Sequence, residues 1–250
     1  MTPFTHLLRP RRALVTGAAA LAFATGAFAG VAQADGFVIN DPALAVPSNK
    51  IEHVVHETTI AGDFPRHTYD ELYLGSDKAH WISRDVASGK VVSETAFDRG
   101  HAVTWDAKSN KLQTLDDKDT TPPWQSLAQE AANWQHTFAT GASAQTGETT
   151  VNGRRALQLQ SVPGKWKTDE PSGVTTMTVD AESFTLYEIK TVLAKYSFSQ
   201  DVKLKSFETV ARTAANESVF ALLPKGAAAK AVAARNKAKA KAKAKKHHRR

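Results

Sequence analysis

The chain has 250 residues, of which 42% are hydrophobic and 23% charged, with a formal net charge of +7 and no cysteine. The lack of cysteine excludes disulfides, thiolate metal sites, a cysteine nucleophile and a lipid-modified cysteine. A body of about 190 residues therefore rests on its hydrophobic core, and that length is enough for one.

The charge is divided unevenly. Three arginines sit near the N-terminus, and the stretch from Lys225 to Arg250 holds 11 basic residues and no acid. That leaves 18 basic residues against all 25 acidic ones for positions 35–224, an acidic body with a polycation attached.

In chain order, Arg9, Arg11 and Arg12 precede an apolar, small-residue stretch from Ala13 to Gly30, and Ala32-Gln33-Ala34 reads as a cleavage site before Asp35. This predicts a secretory signal peptide over 1–34, cleaved after Ala34, and a secreted or envelope-associated product. The stretch is too poor in Leu, Ile and Phe to make a good membrane span. Arg11-Arg12 leaves general and twin-arginine export both open.

"IEHVVHETTI", "HTYDELYL", "KAHWISRD", "KVVSETAF", "HAVTWD" and "KLQTLD" follow as short β-rich segments. Gly75-Ser76-Asp77, Ala87-Ser88-Gly89, Asp98-Arg99-Gly100 and Ser109-Asn110 punctuate them, as in an antiparallel meander. After the polar "DDKDTTPP", the spacing of Trp124, Leu127, Ala131, Trp134 and Phe138 predicts one amphipathic helix from about Pro123 to Phe138, ended by Gly141. Asn152-Gly153 between two β-runs predicts a hairpin. "GVTTMTVD", a turn at Asp180–Ser183, "FTLYEIKTVLAKYSF", "DVKLKSFETVART" and "ESVFALL" complete roughly ten strands. A sheet of that length has to curl to hide its apolar face, with the helix on the hollow side.

The parts "NGRRALQLQSV", "TTMTVDAESFTLYEIKT" and "KSFETVART...ESVFALLPKG" resemble the carrier superfamily of LolA and LolB, the RseB stress sensor, and the mycobacterial LppX and LprG proteins. Val179-Asp180-Ala181-Glu182-Ser183 with Phe184-Thr185-Leu186 is similar to the family's strand-turn pattern, and Phe220 through Pro224 to its closing element. Ala181 stands where that pattern often has proline, and neither the missing cysteine nor the basic tail is a family feature. The resemblance implies a mainly β (α+β) fold: a half-open barrel of strongly curved antiparallel sheet with a helix on its concave side. It also implies binding of acyl chains or a protein partner without covalent chemistry. A helix that filled the hollow completely would instead leave a solid domain.

Catalytic patterns are sparse. His53 and His56 point to opposite faces of one strand, so they cannot share a metal ion without a bulge. The acidic residues Asp116, Asp117 and Asp119 lack a calcium-loop spacing. Ser143 in "TGASAQTG" lacks the spacing of a nucleophile elbow. The expectation is a non-enzyme with no cofactor and no metal. The candidate ligand-lining residues are Tyr73, Trp81, Trp105, Trp124, Trp134, Leu157, Leu159, Met177 and Ile189, and Trp81 and Trp105 are expected to share a face.

In the tail, Lys237, Lys239, Lys241, Lys243 and Lys245 alternate with alanine, and Lys246, Arg249 and Arg250 follow. Wound into a helix, that spacing distributes charge all round, so no apolar face forms for membrane insertion. The expectation is a disordered polyanion-binding segment from 225 to 250 attached to a monomeric domain over 35–224. Its partners would be anionic envelope polymers or lipid headgroups rather than a specific nucleic acid. The leading reading is a lipid or lipoprotein carrier held at the envelope by this tail. The alternatives are an adhesin in which the tail is the functional element, and a sensor that binds a membrane protein through its sheet.

Overall fold

A computed structural model describes residues 41–116, 122–165 and 173–223. The expected signal peptide and basic tail lie outside the described residues. Within them a strongly curved, unclosed antiparallel sheet of eleven strands dominates, in the order β6-β5-β4-β3-β2-β1-β11-β10-β9-β8-β7. The first half comprises β1 (Lys50–Ala61), β2 (Arg66–Leu74), β3 (Lys78–Asp85), β4 (Val91–Asp98), β5 (His101–Asp106) and β6 (Lys111–Asp116). The second comprises β7 (Ser143–Val151), β8 (Arg154–Ser161), β9 (Gly173–Asp180), β10 (Leu186–Leu193) and β11 (Phe198–Ala211). Each half is a meander of hairpins, and the halves join where β1 pairs with β11. That junction carries a bulge: Val55 faces Ser206 while His56 faces Leu204, so Lys205 is the extra residue.

The turns explain the hairpins. Arg99-Gly100 and Asn152-Gly153 both have positive φ at each residue, as two-residue connections matched to strand twist require. Asp180 closes the β9–β10 turn with its side chain. Its Oδ1 accepts the backbone N–H of Ser183 at 2.9 Å and of Glu182 at 3.1 Å, and its Oδ2 accepts the Tyr187 hydroxyl at 2.7 Å. Burial alone would raise this carboxyl, but these bonds outweigh it and hold its pKa well below the usual carboxylate range.

Two expected elements differ. The helix, α1, runs Leu127–Ala139 rather than from Pro123. Ser126 caps it, and a reciprocal bond between Ser126 and Gln129 completes a capping box. Trp124 is thereby left outside the helix, free to turn toward the first half. "ESVFALL" is not a strand either. Glu217–Phe220 is a short 3-10 turn, and the segment crosses back over β3 and β4. There Val219 O accepts from His80 Nδ1 at 2.6 Å, and Leu223 N–H donates to Glu94 at 2.6 Å. No helix among the described residues is long and apolar enough to cross a membrane.

Candidate functional site

Strand alternation and register decide which side chains share the concave, helix-bearing face. On β1 they are Glu52, Val54, His56, Thr58 and Ile60, and pairing carries the same face to Leu74, Leu72, Asp70, Thr68 and Arg66 of β2. It continues through Ala79, Trp81 and Ser83 of β3 to Phe97 and Thr95 of β4. On the other side Thr58 faces Val202, and the row runs on through Ile189, Met177 and Leu159.

Two apolar clusters lie on this face. In the second half, Trp134 of α1 packs with Leu157, Leu159, Met177, Val179, Phe184, Leu186, Ile189 and Val202. In the first half, Trp81 packs with Leu72, Leu74, Ala79, Phe97, Val46 and Trp124. The Trp81 and Trp124 rings stack at 6.2 Å between centroids.

Seven of the nine candidate lining residues thus fall on this face, in two groups. Trp134, Leu157, Leu159, Met177 and Ile189 form one, and Trp81 and Trp124 the other. Tyr73 does not join them. It lies on the opposite face, stacked on His53 at 4.3 Å. Trp105 is also elsewhere: Trp81 pairs with Thr95 and Thr95 with Thr104, so the next residue, Trp105, faces away. Its indole N–H donates to Asn110 Oδ1 at 3.1 Å. Trp81 and Trp105 therefore do not share a face.

Between the clusters runs a band of polar side chains that sequence reading did not single out. His56, Thr58, Thr68, Asp70 and Ser83 are all buried. Thr68 Oγ1 donates to Asp70 Oδ2 at 3.2 Å, and Trp81 Nε1 donates to Ser83 Oγ at 3.0 Å. Burial pushes the His56 pKa down to about 4, so its imidazole is neutral at physiological pH. The available signal was "RHTYDELYL" itself: alternation puts Arg66, Thr68 and Asp70 on the same face as Leu72 and Leu74.

Where β1 meets the helix, Glu52 Oε2 accepts the Leu127 N–H at 3.0 Å, an anion at a helix N-terminus. Burial raises the Glu52 pKa against the lowering effect of that bond. Burial also pushes the nearby Glu130 up to about 7, helped by the Glu52 charge and opposed by the Trp134 indole N–H. Among the described residues no group of three or more His, Asp or Glu side chains is placed to hold a metal ion.

Comparison with known proteins gives structural likeness alone. No family model and no curated protein matches the chain. A solved complex of Pseudomonas aeruginosa MucA and MucB is similar with a TM-score of 0.42 at 13% identity, covering 82% of this chain and 62% of that one, less than two thirds of its length. Mycobacterium tuberculosis lipoprotein LppX is similar with a TM-score of 0.38 at 10% identity, covering 64% and 86%. A LolA superfamily protein from Nitrosomonas europaea gives 0.31 at 7% identity, covering 76% and 97%.

Proposed function

We propose that this protein is an exported, non-enzymatic, carrier-like binder. It takes acyl chains, of a lipid or of a lipoprotein, on the helix-bearing face of its sheet. The single observation behind this reading is a mismatch of sizes. Eleven strands spaced about 4.8 Å apart extend roughly 50 Å along the sheet. A helix of 13 residues is about 20 Å long. One such helix cannot cover the whole concave face, and its apolar side chains are already committed to the second-half cluster. Acyl chains laid beside it would each contribute about 0.8 kcal/mol per buried methylene.

The cationic segment from Lys225 to Arg250 retains the protein at anionic envelope polymers or headgroups in this reading. Native mass spectrometry of the gently purified full chain tests the first part. Bound acyl species are expected, and repeated recovery of protein without any, even after incubation with fatty acid, would sink the carrier reading. Deleting 225–250 tests the second. Envelope retention should fall and become insensitive to salt while acyl binding survives. Loss of all binding would favour the adhesin instead.

A further inference from the structure

The polar band on the helix-bearing face is out of place in a face that only stores hydrocarbon. A buried carboxylate needs either a cation or a full set of donors, and an orphan is costly. Asp70 is 2% exposed, and its Oδ1 has no hydrogen-bond partner among the described residues. Four residues before it on the same strand face, the buried Arg66 Nε is unpartnered too. His56, opposite Asp70 on β1, is neutral and supplies no counter-charge. One strand face thus presents a buried carboxylate oxygen of Asp70 and, four residues away, the Nε of the half-buried Arg66, both without a hydrogen-bond partner, with apolar clusters on either side.

We propose that Arg66, Thr68 and Asp70, flanked by His56, Thr58 and Ser83, form a head-group site for a zwitterionic amphiphile, a lipid carrying a primary ammonium and a phosphate. The ammonium donates to Asp70 Oδ1, completing the set that Thr68 begins. The phosphate accepts from the Arg66 guanidinium, nearer the β1–β2 connection. The four-residue spacing sets the two Cα atoms about 13 Å apart. The long arginine stem and a short aminoalkyl phosphate together span that gap. The acyl chains run on from the head-group band along the part of the same face that α1 does not reach, as in the acyl-binding reading above. A quaternary ammonium has no N–H to give and leaves Asp70 unsatisfied, so the site discriminates between amine types.

This inference rests on the acyl-binding reading above and is tested so that the two can fail separately. Tryptophan fluorescence of the full chain is titrated with short-chain phosphatidylethanolamine, phosphatidylcholine, phosphatidylglycerol and diacylglycerol. Phosphatidylethanolamine should bind at least about tenfold tighter than the other two phospholipids, the scale of one charge-assisted hydrogen bond. D70N should erase that preference and leave diacylglycerol binding unchanged. R66Q should weaken all three phospholipids alike, again sparing diacylglycerol. Thermal melts of both variants identify any loss that comes from misfolding. Equal affinity for all heads in the wild type, with diacylglycerol still bound, overturns the head-group site and leaves the carrier reading standing. No binding of any of the four overturns both.

Discussion

The two halves of the sheet follow the same hairpin logic and end in different states. In the second half the helix lies on the apolar row, and Leu159, Met177, Val179 and Val202 are almost completely buried. In the first half β5 and β6 hold no buried residue, and Leu115 is 56% exposed. The first half buries its apolar residues through Trp124, which leaves the helix to stack on Trp81, and covers its opposite face with the returning 217–223 segment. The contrast shows that the helix lays its apolar side chains on one half and meets the other only at its N-terminal end, where Glu52 accepts from Leu127. The polar band adjoins that core on the same face, where Thr58 of β1 pairs with Val202.

If that division is real, the largest stability effect should come from the second-half core. Leu159→Ala should cost about 4 kcal/mol, measured by denaturant unfolding, because its site is tightly enclosed. A loss under about 1 kcal/mol would mean that the core is loose. Asp180→Ala should follow at about 3 kcal/mol. It leaves the Ser183 and Glu182 N–H groups and the Tyr187 hydroxyl without their acceptor, and removes the 2.8 Å partner of Arg154 Nε. Asp180→Asn, which keeps some acceptors, should recover part of the loss.

The boundary can be examined through pH. Glu130 has a folded-state pKa raised from 4.5 to about 7, so the native state holds its proton more tightly than the unfolded chain. Stability from this group is complete below pH 4.5 and is lost as pH rises through about 7, by roughly 3 kcal/mol. His56 has the reverse sign. Its pKa is lowered from 6.5 to about 4, so its contribution is complete above pH 6.5 and is lost as pH falls toward 4, again by roughly 3 kcal/mol. Melting temperature against pH should therefore show a maximum between these limits. Glu130→Gln should flatten the alkaline side and His56→Gln the acid side. If each variant leaves its slope unchanged, these groups are not held as described. The smallest effect belongs to the far edge, where Leu115→Ala should change stability by less than about 0.5 kcal/mol.

Much of this fold was legible from residues alone. Asn152-Gly153 and Arg99-Gly100 marked their hairpins because few sequences tolerate paired positive φ. The 3.6-residue spacing through Ala131, Trp134 and Phe138 marked the helix, and its face packs as expected. The helix start was missed because Pro122-Pro123 looked like an opening signal, while the Ser126–Gln129 capping box was the stronger one. "ESVFALL" was misread because an apolar run of that length suits a strand and a packed turn equally.

The alternation of side chains, the turn chemistry and the charge segregation are local properties, so the order of residues determined them. Which strands meet, and therefore which faces combine, depends on pairing between positions as distant as His56 and Leu204. A one-residue change of register moves a side chain to the other side of a sheet, as Trp105 illustrates. Only the tertiary structure could bury Asp70 Oδ1 and Arg66 Nε without a hydrogen-bond partner, because an unpaired polar atom becomes costly only once the rest of the chain has removed its water.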